Sequence, residues 1–249
     1  MSTTESTAID NASVRSERTH VMDRLLNVKN AKTPKGEKLG ILTGILYLAP
    51  ANESGVMNTC ASSTPECRRA CLFTAGRGTF DSVRHGRIRK TRWLARDREG
   101  FVEELRRNVT RLVARALKMG FKPAVRINGT SDLPWLAQEL AMAFPEVQFY
   151  DYTKHPKPWL RTLPNYHLTF SHSGHNVEDC LESLQHGINV AVVFATRRGE
   201  ALPETWHGFP VIDGDLHDCR FLDPAGVVVA LRAKGMAKGS QSPFVVVAA

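Results

Sequence analysis

The 249-residue chain has no apolar run long enough to cross a bilayer. Its longest, at residues 39–51, falls well short of the roughly 20 residues a spanning helix needs. The stretch MSTTESTAIDNASVRSERTH at the amino terminus is polar and lacks the apolar centre of a secretory signal. C-x-x-C pairs are missing, and so are the G-x-G-x-x-G, Walker, G-x-S-x-G, H-E-x-x-H and kinase signatures. These absences exclude the enzyme classes that such motifs define. Cysteine is sparse and odd in number, at five. An odd count without a signal argues against a secreted disulfide framework. The chain is expected in a reducing cytoplasm, with no membrane partner.

What is present is enough apolar residue, 42% of the chain, to bury a core without staples. Net charge is +8, and the excess is uneven. Residues 68–118 hold fifteen Lys and Arg against five Asp and Glu. The densest part is RHGRIRKTRWLARDR, residues 84–98. A basic helix of this kind attracts nucleic acid, although solvated basic faces are common. Trp93 is the sole aromatic in that run, so no base-stacking platform is written there.

Residues 1–18 lack apolar periodicity and read as a disordered tail, leaving 19–249 as one domain. An apolar run at 38–50 reads as a buried strand. A helical stretch follows over 79–119, with a break near Gly100 and a buried stripe through Phe101, Leu105, Val109 and Leu112. Short apolar strands then recur at 122–128, 147–153, 166–171, 188–195, 209–213 and 226–234, with PFVVVAA as an eighth candidate. Helical segments separate the earlier ones. This pattern predicts an α/β fold with mostly parallel strands: a (β/α) barrel-like domain, partial or irregular against the full TIM-type barrel. A doubly wound open sheet is the alternative.

Three cysteines dominate the chemistry. Cys60, Cys67 and Cys71 lie in CASSTPECRRAC, inside a loop expected over 51–78. Thiolates are soft ligands for zinc, copper(I) or iron–sulfur clusters. Three without a nearby fourth fit a [4Fe–4S] cluster with one iron left open for a small-molecule or anionic ligand. Three cysteines merely packed in a loop are the plain alternative, and Cys180 or Cys219 can serve as a fourth ligand only if the fold returns one of them. In parallel α/β folds the site gathers at the carboxyl ends of the strands. The candidates there are Arg126, Asn128 and Asp132 after the second strand, Lys154 after the third, His172 after the fourth and Asp215 after the sixth. A buried Arg126 requires an anionic partner, for which Asp132, Asp151 or a bound anion qualify. The DGD of residues 213–215 can hold a cation, but serves a turn more often.

Two resemblances follow from these residues. A three-cysteine loop directly after the first strand is similar in layout to radical S-adenosylmethionine enzymes, which implies that this cofactor occupies the open iron. The spacing C-x6-C-x3-C departs from their C-x3-C-x2-C. The segments VRINGTSDL, VQFYDYTKHP, YHLTFSHS, NVAVVF, VIDGDLHDCRFLDP and VVVALRAKG resemble the phage and prophage proteins named gene product 88. That resemblance implies a mobile-element origin and the host cytoplasm. The functional expectation is therefore an iron–sulfur protein, either a divergent radical enzyme or a redox sensor. A zinc-stabilised nucleic-acid-binding protein using the 84–98 helix is the rival.

Overall fold

The computed structural model describes residues 24–29 and 33–247. The tail expected over residues 1–18 lies outside them. A ten-stranded, mostly parallel sheet runs through the described chain. Its strands are β1 (Leu26–Asn27), β2 (Ile41–Leu46), β3 (Lys122–Arg126), β4 (Gln148–Thr153), β5 (Tyr166–Ser171), β6 (Val190–Phe194), β7 (Thr205–Trp206), β8 (Phe209–Asp213), β9 (Val228–Arg232) and β10 (Val245–Val246). Six helices join them: α1 (Thr33–Glu37), α2 (Pro65–Arg69), α3 (Asp81–Arg96), α4 (Arg98–Lys118), α5 (Pro134–Ala143) and α6 (Val177–Gln185).

The order is β1-β2-β3-β4-β5-β6-β9-β8-β7, with β10 on β6. Strands β2 to β6 neighbour one another in sequence order and are parallel, as in a barrel; the order does not reverse as a doubly wound sheet requires. The sheet is nevertheless open, because no pairing among the described residues joins β2 to β8 or β7. The short α1 packs on β2, and its Lys35 side chain reaches the carbonyl of Asp215 just beyond β8. Chain of another kind thus occupies the space where a closing strand pair would stand. Beyond the parallel strands, β1 pairs antiparallel with β2, and β7 with β8. The latter hairpin turns on His207 and Gly208, both at positive φ (49° and 82°), the conformation of a two-residue turn matched to strand twist.

Side chains alternate across the strands. Leu42, Leu46, Val125, Phe149, Tyr166 and Leu168 share a buried cluster with Phe101, Leu105, Val109 and Leu112 of α4 and Leu136 and Leu140 of α5. Phe170, Val190, Val192, Val228 and Ala230 form a second cluster with Cys180 and Leu184 of α6. The opposite face is smaller. Ile41, Ala124 and Tyr150 meet Cys219 there, with Phe221 packed beside them. Residues from both ends of this face line one space, so the sheet curves around it.

The long helical stretch divides at Asp97, three residues before the expected Gly100. Asp97 caps α4 by accepting from the Gly100 amide at 3.0 Å. The last strand shrinks to the two residues of β10. It pairs with Val193 and Phe194, while β5 pairs with Val190 and Ala191. It therefore takes up the edge of β6 where β5 stops.

Candidate functional site

The loop after β2 is built by hydrogen bonds back to the strand end. Thr91 of α3 accepts from the Ala49 amide at 2.9 Å. Thr59, fully buried, donates to the Ala49 carbonyl at 2.6 Å, and its own amide bonds Ala51. Ala51 adopts φ 44°, a left-handed conformation that costs a non-glycine residue of order 1 kcal/mol. The Thr59 carbonyl accepts from the Asp132 amide at 2.8 Å, clamping the loop to the end of β3. Cys60 emerges from this clamp. Thr64 then caps α2 by accepting from the Cys67 amide at 3.1 Å, with Pro65 in the first helical position. The same hydroxyl donates to the Ser173 carbonyl beyond β5 at 3.2 Å. Cys71 follows, its sulfur accepting from the Phe73 amide at 3.5 Å.

Burial pushes the Cys60 and Cys71 thiols up, and Cys71 is raised further by Cys67 and Cys60 beside it. Lys154 lies among them. Burial works to lower its pKa, but Cys67, Asp132 and Cys60 outweigh burial and hold it above the ordinary value. Its ammonium hydrogen-bonds Cys67. One cation thus faces two of the thiols.

The strand-end residues occupy the same region. Arg126, 6% exposed, donates to Asp218 at 3.0 Å and lies 4.6 Å from the Tyr152 ring centroid. Its anionic partner is therefore Asp218, not Asp132 or Asp151. Burial opposes the Arg126 charge and Asp218 overrides it, so the group stays protonated. Asp151 lies beneath the rim. Its oxygens accept from the Asn128 amide (2.7 Å), the Asn128 side chain (3.0 Å) and Tyr166 (3.2 Å). Burial raises Asp151 to about 7 despite those donors. Asn128 in turn accepts from Ser131 and the Leu133 amide, which fixes the start of α5. Asp132 accepts from the Lys154 amide at 2.8 Å. His155, hydrogen-bonded to Ser62 at 3.1 Å, ties the third strand end to the cysteine loop.

Burial, with Lys154 adding to it, pushes His172 down to about 4, so it stays neutral at pH 7. Its Nδ1 is buried without a partner, as is Nε of Arg126. Asp215 accepts from Lys234 at 2.6 Å and Arg232 at 3.4 Å, and its amide bonds Asp213 at 2.8 Å. The DGD segment is thus a turn neutralised by two cations.

All nine residues singled out from the sequence line one cavity of about 470 Å³: the three cysteines with Arg126, Asn128, Asp132, Lys154, His172 and Asp215. Sequence reasoning missed other wall residues, among them Lys35, Ser63, Gly214, Ala237 and Phe244. Gly214 carried a signal, being the centre of DGD. A Cβ there would stand 2.8 Å from the Ala230 carbonyl, so only glycine fits. Lys35 and Phe244 carried none, since their place depends on distant chain. Cys180 and Cys219 sit in apolar clusters and bring no fourth thiol to the cavity wall. Among the described residues, no group of three or more His, Cys, Asp or Glu is arranged to hold a single metal ion.

The basic helix α3 spends much of its charge internally. Arg87 lies over the Tyr47 and Phe73 rings, at 5.0 and 5.4 Å. Lys90 donates to the Leu25 carbonyl at 2.9 Å, and burial lowers its pKa to about 8. Arg92 donates to the Ser54 carbonyl at 3.0 Å. These cations brace the cysteine loop and the start of the sheet.

The gene product 88 family profile matches residues 24–248. The chain belongs to the gene product 88 family. That match contains every cysteine and every wall residue named above, so the cavity lies wholly inside the family's region. No curated protein and no solved structure matched the chain. Among the described residues, no helix of this family member is long and apolar enough to cross a membrane.

Proposed function

We propose that the protein is a phage-type iron–sulfur protein of the host cytoplasm, holding a [4Fe–4S] cluster through Cys60, Cys67 and Cys71. The observation that carries this reading is that the three thiols share one cavity wall with no fourth thiol beside them. A single zinc ion draws its ligands to one centre. A cubane takes each thiolate at a separate iron, so its ligands stand around a volume. Three soft donors on the wall of one cavity suit the second arrangement. The clamped backbone of 49–60 and the capped α2 hold the donors on separate, fixed pieces of loop. The curved, unclosed sheet then serves as an open barrel with its chemistry at the carboxyl rim.

When bound, such a cluster supplies electron transfer and one iron open to a ligand. Around it the chain's own residues are suited to bind an anion. Lys154 and Arg126 offer positive charge, and His172 and Arg126 each keep a buried nitrogen unpartnered. Asp132 and Asn128 set the position of Lys154 and of the α5 start. S-adenosylmethionine is one candidate for the open iron; its cleavage makes this a divergent radical enzyme, and its absence leaves a redox sensor.

Anaerobic purification tests the reading. The expected product is brown, with iron and sulfide in equal amounts, bleached by dithionite and lost in Cys67→Ala. A colourless protein with one zinc per chain would refute it. Formation of 5′-deoxyadenosine from S-adenosylmethionine under reductant separates enzyme from sensor.

A further inference from the structure

A second, larger groove of about 1370 Å³ adjoins the cysteine cavity. The two share Lys35, Asp215, Arg232 and Lys234 as a common wall. The outer groove opens at the carboxyl ends of β6 and β9, the end where the cysteines lie. Its lining is strongly basic: Lys35, Arg197, Arg198, Arg232, Lys234 and Lys238 face only two carboxylates, Asp213 and Asp215. Those carboxylates are already matched to Arg232 and Lys234, at 2.9 and 2.6 Å. Among the described residues, the side chains of Arg197, Arg198 and Lys238 make no ion pair, and all three are exposed. Uncompensated charge therefore gathers at the outer end of a groove leading to the site.

Three free cations around one groove repel one another and gain by sharing a multiply charged anion. Arginine forks match phosphate oxygens in particular. The inner cavity is different in kind, being lined mostly by partly buried side chains with polar groups at fixed places. We propose that the outer groove binds the phosphate groups of a nucleotide or of an oligonucleotide end, while the attached organic part reaches past Lys35 and Arg232 into the cysteine cavity. This names a substrate class for the site and rests on the iron–sulfur reading only for what happens to the ligand afterwards. The basic surface that matters is thus the loop pair 195–199 and 238–241, not α3.

The test uses the full chain and three probes: pyrophosphate, a nucleoside triphosphate and a short single-stranded oligonucleotide. Calorimetry and fluorescence anisotropy follow binding at several salt concentrations. The triple variant Arg197→Ala/Arg198→Ala/Lys238→Ala is expected to lose about tenfold or more in affinity and to show a shallower salt slope. Its exposed positions leave the fold intact, which circular dichroism checks. Arg89→Ala/Arg96→Ala on α3 is expected to bind as the parent does. Binding by the triphosphate alone supports a free nucleotide, and binding by the oligonucleotide alone supports a strand end. No binding of any probe overturns the proposal, as does equal loss in the α3 control or no loss in the triple variant. Repeating the titration on colourless Cys67→Ser protein separates the two readings: phosphate binding there survives even where the cluster reading fails.

Discussion

Asp151 gives a prediction whose sign and size follow from its surroundings. It is 1% exposed and receives three donors, two from Asn128 and one from Tyr166. Burial nonetheless raises its pKa from 3.8 to about 7. The folded protein therefore holds a proton there more tightly than the unfolded chain does. Its stabilising contribution is complete below the ordinary value and is lost as pH rises through the folded value. A shift of this size corresponds to at most about 4 kcal/mol, at 1.36 kcal/mol per unit. The perturbation is Asp151→Asn, which removes the titration and keeps the shape. Urea unfolding of both proteins is measured at half-unit steps from pH 4 to 8. The stability of the parent minus that of the variant is expected to fall by about 2–4 kcal/mol across that range, and to level off above pH 7. The subtraction cancels titration elsewhere. A difference that is flat with pH, or one that rises, would falsify the assignment of a buried, proton-holding carboxyl beneath the cavity. A constant offset carries separate information. The amide of Asn presents donors to Asn128 or Tyr166 where the carboxylate accepted, which costs about 1–3 kcal/mol at every pH.

Arg126→Met removes the guanidinium 3.0 Å from Asp218 in a site where both side chains are largely buried, at 7% and 14% exposure. A loss of about 3–5 kcal/mol in chemical denaturation is expected, partly restored by adding Asp218→Asn. Gly214→Ala drives a methyl group to 2.5 Å from Val229 Cγ1 and 2.8 Å from the Ala230 carbonyl. A melting temperature unchanged by that substitution contradicts the close packing of β8 on β9; the expected loss is about 1–3 kcal/mol. Lys90 has its pKa lowered to about 8 by burial, so the folded state releases its proton first and stability rises with pH from about 8 to 10.5. Lys90→Met is expected to abolish that rise in a pH series of melting curves.

The strands were legible because each is a short apolar run between polar turns, and the parallel sheet followed from their separation by helices. The sequential neighbouring of β2 to β6 fits that separation too, whereas the swapped order β9-β8-β7 beyond β6 was not legible. Closure was not legible. It depends on whether β2 meets β8, and the residues that fill the gap, α1 and 214–223, carry no strand-pairing signal. The site was legible in part for one reason: polar residues at strand ends break an apolar pattern and stand out. Asn128, Lys154 and His172 were visible in that way. The pairing of Asp218 with Arg126 was not, because ninety-two residues of chain separate them. The charge of α3 was legible as composition only. Whether a cation faces solvent or the Tyr47 ring is decided by packing, and the densest basic run turned out to be largely committed to the fold.

The placement of β10 has a consequence for the order in which the protein is made. Strand β6 leaves the ribosome some fifty residues before Val245 and Val246, its partners, exist. Until then the outer half of β6 is an unpaired edge, a template for another nascent chain. Phe244, beside β10, also forms part of the cavity wall and abuts Gly174. The cavity is therefore finished only when residues 243–247 arrive. A product ending before residue 243 would therefore leave the outer half of β6 unpaired and the cavity wall without Phe244.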